Sequence, residues 1–394
     1  MDVPPRRLLQ LSFWALLLTL LLVACGVPGG ISGSTPVPTV TASGIAVNDS
    51  QQMTDVDNYL SQLASMGAIT GSVLLARGNT VLLSKGYGLA DEENNIPNTP
   101  QTRFRIGSNT KQFTAMAILI LQERGKLHVQ DHLCLYITDC PQDWQTITLQ
   151  QLLTHTSGIP DYINSPEFPP LIGTPATPEQ LIDRFKNEPL LFPPGTRWSY
   201  SNSGYTLLGY IIEKVSGETY ARFLQENIFD PLQMHDTGYD TNNPQPPAHA
   251  NGYLSPHVKP VYLDMSEFYA AGALYSTVED LYRWDRALLT DQLVSQKTID
   301  AMFTPYIPCP QGGCALSSDV GYGYGWFIAD ESNHRLIYHW GRIDGFRTSN
   351  GFYPEDGVIV VLLSNLETTD VWGISDHLGR MLVGIQSSAA TINV

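Results

Sequence analysis

"RIGSNTKQFTAMAILILQERGKL", residues 105–127, sets Ser108 three positions ahead of Lys111 and then runs through an Ala/Ile/Leu-rich stretch that stops at Gly125. The composition is that of a buried helix, and the pattern predicts one over 108–124. Residues i and i+3 share a helix face about 5 to 6 Å apart, so a hydroxyl and an ammonium would meet at its start. A serine hydroxyl is a weak nucleophile until a neighbouring base takes its proton. At a helix start the N-terminal partial charge would also favour negative charge developing there. Ser108 equally suits a plain N-cap and Lys111 a solvated first-turn residue, and Ser-x-x-Lys arises by chance about once or twice in a chain this long.

The surrounding sequence frames that helix. Residues 70–87, "TGSVLLARGNTVLLSKGY", read as a β-hairpin turning at Arg-Gly-Asn. Helical stretches are expected near 178–187, 203–216, 218–227 and 276–289. Strands follow near 335–340, 345–353 and 357–364, with an apolar helix over 371–384. Strands at both ends and helices between them predict an α+β protein. One antiparallel sheet is assembled from both termini, flanked by helices, with an inserted, mainly helical lobe and a cleft between the two.

With 394 residues, 43% hydrophobic and 15% charged, the chain is long enough for a sizeable core. Its net charge of −16 disfavours a nucleic-acid partner. Arg6 and Arg7, the apolar run from Leu8 to Val23 and Leu22-Val23-Ala24-Cys25 resemble a bacterial lipoprotein signal over 1–24, with Cys25 lipidated. The expected location is therefore outside the cytoplasm, held to a membrane by that lipid. Residues 25–50, rich in Gly, Ser, Thr and Pro, read as a solvated tether, and 51–390 as the folded domain. The remaining cysteines fall into two close pairs, Cys134 with Cys140 and Cys309 with Cys314, and local disulfides are the expected pairing in an exported protein. His128 and His132 sit four apart but in a loop-like segment, a poor metal site.

Two further clusters support the opening stretch. "WSYSNSGY", 198–205, offers the phenol of Tyr200 and the amide of Asn202, and "YHWGRIDGF", 338–346, places His339 near a strand end with Gly341 allowing close backbone approach. Tyr162-Ile163-Asn164 fits the Tyr-x-Asn spacing as well. Ser108-Asn109-Thr110-Lys111, Tyr200-Ser201-Asn202 and His339-Trp340-Gly341, in this order, resemble the three motifs of the serine β-lactamase and penicillin-binding-protein-like hydrolases, in the class C branch. "FRIGSNTK" from 104, "LLTHTSGIPDY" from 152, "PPGTRWSYSNSGYTLLGYII" from 193 and "GALYSTVEDL" from 272 look like the same family, so the resemblance spans about residues 55–380.

That resemblance implies the β-lactamase/transpeptidase-like fold and an acyl-enzyme on Ser108, with no cofactor or metal. Lys111 and Tyr200 would share the general-base work, Lys111 favouring a phenolate at Tyr200. Asn202 would orient Lys111 or accept the substrate amide, and the backbone N–H groups of Ser108 and Arg342 would bind the oxyanion. Gly341 would let the strand edge lie flat against substrate. The third motif departs from the common Lys-Thr-Gly: His339 is no permanent cation and Trp340 has no hydroxyl. Arg342 and Arg347 are the candidate substitutes for binding a substrate carboxylate, and Trp340 alternatively packs into the core. Three functions remain open: an esterase or amidohydrolase acting on small acyl or D-amino-acid substrates, a D,D-peptidase or weak β-lactamase, and an idle scaffold that binds envelope ligands.

Overall fold

The strands at the two ends of the sequence meet in one sheet. The computed structural model describes residues 43–242, 248–309 and 320–385. In chain order its principal elements begin with α1 (Ser43–Ser65), β1 (Gly71–Arg77), β2 (Thr80–Tyr87), α2 (Thr110–Glu123), α3 (Asn202–Ser216) and α4 (Val278–Leu288). There follow β3 (Ile307–Pro308), β4 (Val320–Tyr322), β5 (Phe327–Glu331), β6 (His334–Ile343), β7 (Phe346–Tyr353), β8 (Val358–Ser364) and α5 (Val371–Val383). Among the described residues the sheet runs β2-β1-β8-β7-β6-β5-β4-β3, antiparallel throughout. First and last strands are neighbours, with Gly71 opposite Ser364 and Arg77 opposite Val358.

Both faces of this sheet are covered, which is why its central strands read as unbroken apolar runs. Leu74, Ala76, Ile359, Val361 and Leu363 pack into the core shared with α2, α3 and α4. Their alternates Val73, Leu75, Val358, Val360 and Leu362 pack against α1 and α5 through Val56, Leu60, Leu63, Ile374 and Leu378. The 56, 60, 63 spacing is a helical stripe, and burying each such side chain contributes roughly 1.5 to 3 kcal/mol. Helix α1 starts at Ser43, so the expected tether over 25–50 is helical over its last eight residues. The packed turns nucleate a helix whose backbone then extends upstream.

The hairpin, α3, α4, β6 to β8 and α5 form where the sequence places them. Elsewhere the helices are broken: Pro178–Asp183 is short, and 218–227 divides into the helix Tyr220–Leu224 and a wide turn over Gln225–Phe229. Cys134 and Cys140 are disulfide-bonded. Cys309 is also in a disulfide, while Cys314, like Cys25 and the expected signal over 1–24, lies outside the described residues.

A buried polar network fastens α2 to the sheet and to α4. Asn109 Nδ2 donates to Thr348 Oγ1 at 2.8 Å, and Gln112 Nε2 donates to Asn109 Oδ1 at 3.0 Å. Gln112 Oε1 accepts from Trp284 Nε1 at 3.0 Å. Asn350 Nδ2 donates to Asp285 Oδ1 at 2.9 Å. The remaining oxygens of that last pair, Asp285 Oδ2 and Asn350 Oδ1, have no other partner. Burial pushes the Asp285 carboxyl well above the usual carboxylate range, and the protonated acid carries the O–H donor that a carboxylate lacks.

Candidate active site

Ser108 lies in a 3-10 turn, Gly107–Asn109, that feeds α2, rather than serving as its N-cap. Two glycines let this turn press against β6. Gly107 has φ +51°, and a Cβ there would stand 2.9 Å from the backbone N and O of Arg342. A Cβ on Gly341 would stand 2.0 Å from the carbonyl oxygen of Ile106 and 2.4 Å from Thr348 Oγ1. The close approach of Ile106 by itself already requires glycine at 341. The consequence is that the Ser108 turn and the Arg342 backbone share one narrow corner.

The second motif is organised by a helix start. Ser201, with φ −143° and ψ 115°, caps α3 by accepting from the Gly204 N–H, and Gly217 in the left-handed region ends the helix. Asn202 is thereby held in the first turn and Tyr200 just outside it. Lys111 is fully buried and its Nζ meets three groups: Ser108 Oγ at 3.1 Å, Asn202 Oδ1 at 2.8 Å and the Ala271 carbonyl at 2.9 Å. Asn202 is oriented in turn by donating Nδ2–H to Asp161 Oδ2 at 2.9 Å. Because Asn202 Oδ1 and the Ala271 carbonyl only accept, two N–H bonds of Lys111 are committed. The position facing Ser108 holds either the third ammonium proton or the lone pair of the neutral amine. Burial lowers the Lys111 pKa to about 7, partly opposed by the negative charge of Asp161.

Tyr200 behaves differently from the expectation that Lys111 would make it a phenolate. Its hydroxyl is pushed well above the ordinary phenol value, chiefly by burial, with hydrogen bonding to Ser108 pulling the other way. Lys111 Nζ lies over the Tyr200 ring face, 4.7 Å from its centroid, where an ammonium is attracted to the ring. Burial thus favours the phenol form of Tyr200 and moves Lys111 toward its neutral amine. His339 is buried and held neutral, its pKa driven down to about 3 by burial and by Lys111.

The third motif divides between the two faces of β6. His339 approaches Tyr200, with ring centroids 6.4 Å apart. Trp340 is half-buried and stacks on Phe327 at the margin of an aromatic cluster with Tyr338 and Trp372 of α5. Arg342 and Arg347 share one carboxylate, Glu367, at 2.9 and 3.3 Å, and Nη1 of Arg347 has no hydrogen-bond partner among the described residues. Pairing with β5 stops at Tyr338, so among the described residues β6 continues past its neighbour from His339 to Ile343. Tyr162 is buried, bonded through its hydroxyl to the Glu267 carbonyl and stacked on Phe185, which makes it part of the packing; Asn164 is not among the groups around Lys111.

Comparison with known proteins agrees with this geometry. The sequence model of the Beta-lactamase family matches residues 56–381. The chain belongs to the β-lactamase family. It is similar to the putative penicillin-binding protein PbpX of Bacillus subtilis, 35% identical over 317 residues that cover 79% of this chain and 73% of that protein. Among solved structures it is similar to the octameric penicillin-binding protein homologue from Pyrococcus abyssi, with TM-score 0.76, 29% identity and coverage of 84% and 77% of the two chains. It is also similar to the D-amino acid amidase from Ochrobactrum anthropi SV3, with TM-score 0.72, 25% identity and coverage of 85% and 99%. The fold is that of penicillin-binding proteins and β-lactamases, and the protein is a serine hydrolase of this family.

Sequence reasoning missed Asp161, His155 and Tyr322 as parts of the site. The first two sit inside the stretch "LLTHTSGIPDY", which carried the family resemblance without pointing to their roles. Tyr322 lies in a three-residue strand with no periodic signal.

Proposed function

We propose that the protein hydrolyses small amides and esters of D-amino-acid type through an acyl-enzyme on Ser108. The observation that carries the chemistry is the bonding of Lys111: with two N–H groups committed to Asn202 Oδ1 and the Ala271 carbonyl, its neutral form turns a lone pair toward Ser108 Oγ at 3.1 Å. In acylation the Ser108 oxygen attacks the carbonyl carbon and its proton passes to Lys111 Nζ. The proton held by Lys111, which points back at Ser108 Oγ, is given to the leaving nitrogen or oxygen, with the Tyr200 phenol beside Ser108 as a hydrogen-bond donor, and on deacylation water takes the place of the leaving group. In this reading the oxyanion forms in the corner between the Ser108 turn and the Arg342 backbone, with the N–H groups of Ser108 and Arg342 as donors, a contribution of roughly 3 kcal/mol per donor in comparable sites.

Amides and esters are favoured over acids because His339, at the position of the family's usual lysine, is neutral. The likeness to a D-amino acid amidase supports the same substrate class; the likeness to penicillin-binding proteins supports a D,D-peptidase as the second reading. Hydrolysis of D-phenylalanine amide, p-nitrophenyl butyrate, a D-Ala-D-Ala peptide and nitrocefin by wild type and Ser108→Ala distinguishes them. The first two should be turned over and the mutant should be inactive. Turnover confined to the peptide or nitrocefin would replace the first reading by the second, and turnover that survives in Ser108→Ala would end both.

We further propose that the leader directs export and that Cys25 carries the lipid anchor, leaving the hydrolase domain outside the cytoplasm. Palmitate labelling in cells that is lost in Cys25→Ala tests it, and equal labelling of both would refute it.

A further inference from the structure

Helix Leu149–Leu153 opens with a capping box between Thr148 and Gln151 and stops at Thr154. The next residue, His155, has φ +58°. Its N–H meets the Leu152 carbonyl at 3.3 Å and the Thr156 N–H meets the Gln151 carbonyl at 2.8 Å, the two bonds of a helix stop that usually places glycine at this position. An imidazole stands where the backbone favours having no side chain, and it is 1% exposed. A non-glycine residue held in this conformation inside a core points to a role for its side chain.

We propose that His155 is the positioning residue for Tyr200: it clamps the backbone on both sides of Tyr200, and its far nitrogen begins a one-way hydrogen-bond chain that ends at the third motif. The clamp has two jaws. The His155 carbonyl accepts from the Ser199 N–H at 2.9 Å, and its Nδ1 accepts from the Ser201 N–H at 3.2 Å. The ring lies against Tyr200 with centroids 4.3 Å apart and a 35° tilt. Residues 199 and 201 are thus pinned by one histidine, and the phenol between them packs on its ring.

The protons of the chain are fixed from both ends. A backbone N–H can only donate, so Nδ1 of neutral His155 is bare and its proton sits on Nε2, 3.2 Å from the Tyr322 hydroxyl. At the other end a backbone carbonyl can only accept, so His339 Nδ1 carries the proton given to the Trp340 oxygen at 2.7 Å. His339 Nε2 is then bare and takes the Tyr322 hydroxyl proton at 3.2 Å. The order Ser201 to His155 to Tyr322 to His339 to Trp340 has one direction and no spare proton. Charging His155 would set its Nδ1–H against the Ser201 N–H, and charging His339 would turn the Tyr322 proton out of the chain, in a pocket where Lys111 already disfavours a second positive charge. Tyr205, 5.2 Å from the His155 ring, closes the pocket and gives its own proton to the Leu153 carbonyl at 2.9 Å.

The inference rests on the reading that Tyr200 acts in catalysis, and its test separates the two. His155→Leu keeps the bulk and loses both side-chain bonds. His155→Asn keeps a side-chain oxygen near the Nδ1 position and suits a positive φ. The expected result is a roughly 10²-fold fall in kcat with little change in KM for His155→Leu, and recovery of most of that loss in His155→Asn. Wild-type kcat in His155→Leu, or an Asn variant as impaired as the Leu variant, would overturn the proposal. Nitrogen NMR of the folded wild-type protein supplies a readout independent of turnover, usable also where His155→Leu does not fold. The account requires a proton on Nε2 of His155 and on Nδ1 of His339, and the opposite tautomer at either would overturn it. Should Tyr200→Phe or Ser108→Ala retain full activity, the catalytic reading falls, while the tautomers and amide-exchange protection at Ser199 and Ser201 still decide whether the clamp exists.

Discussion

Replacing Gly341 by alanine tests how closely the site depends on the contact between the Ser108 turn and β6. The added Cβ would lie 2.0 Å from the Ile106 carbonyl oxygen, and such contacts are essentially never seen below 3.0 Å, so the strand and the turn must separate by about 1 Å. Both are backbone, and neither can rotate away as a flexible side chain would. Ile106 precedes Ser108 by two residues and Arg342 follows Gly341 directly, so the displacement falls on both proposed oxyanion donors. A misplacement of about 1 Å costs roughly 10²-fold in rate, close to the ~3 kcal/mol of one lost donor. Overpacking of this kind also costs about 1 to 3 kcal/mol of stability, a Tm loss of roughly 2 to 10 °C. The assay is kcat and KM on the preferred amide or ester, with Tm by circular dichroism. A Gly341→Ala protein that is folded and turns over within about threefold of wild type would refute the reasoning.

Two further predictions concern charge. The activating form of Lys111 is the neutral amine, so kcat/KM should rise with pH through an apparent pKa near 7. In Asp161→Asn, where the opposing negative charge is gone, that limb should move to lower pH; a limb that stays put or moves up would contradict the assignment. The raised pKa of Asp285 means that the folded state keeps a proton which the unfolded chain releases above about pH 4. Its contribution to stability is therefore present below that pH and is lost as pH rises toward the folded-state value. Asp285→Asn, which supplies an amide in place of the acid, should gain on wild type by up to ~1.4 kcal/mol per pH unit above about pH 4 in urea unfolding. A difference that does not change with pH would refute it.

The sequence shows most clearly the elements that carry their own period or punctuation. The hairpin at 70–87 and α2 are legible from apolar pattern and glycine alone. The last three strands and α3, with Ser201 before it and Gly217 after it, are legible for the same reason. The edge strands β3 to β5 were not: they are short, and their residues are placed by neighbours rather than by alternation. The candidate site divides along similar lines. Ser108, Lys111, Tyr200 and Asn202 were legible through the family resemblance that their motifs carry, and the structure brings them together. Their protonation was not legible, because the phenol and the amine are shifted in opposite directions by burial. That Arg342 and Arg347 share one carboxylate, Glu367, some twenty residues on, only the fold shows. His155 was hidden for another reason: nothing in the sequence says that it occupies a left-handed helix stop, and so nothing singles its side chain out.

The central claim is a covalent acyl-enzyme on Ser108, and rapid-quench intact-mass measurement during turnover of a p-nitrophenyl ester tests it most directly. The account predicts a mass increase equal to one acyl group, located by digestion to the peptide bearing Ser108, that forms with release of nitrophenol, decays as the ester is consumed and is absent in Ser108→Ala. Full-rate turnover in that mutant, or an adduct confined to another residue, would contradict it.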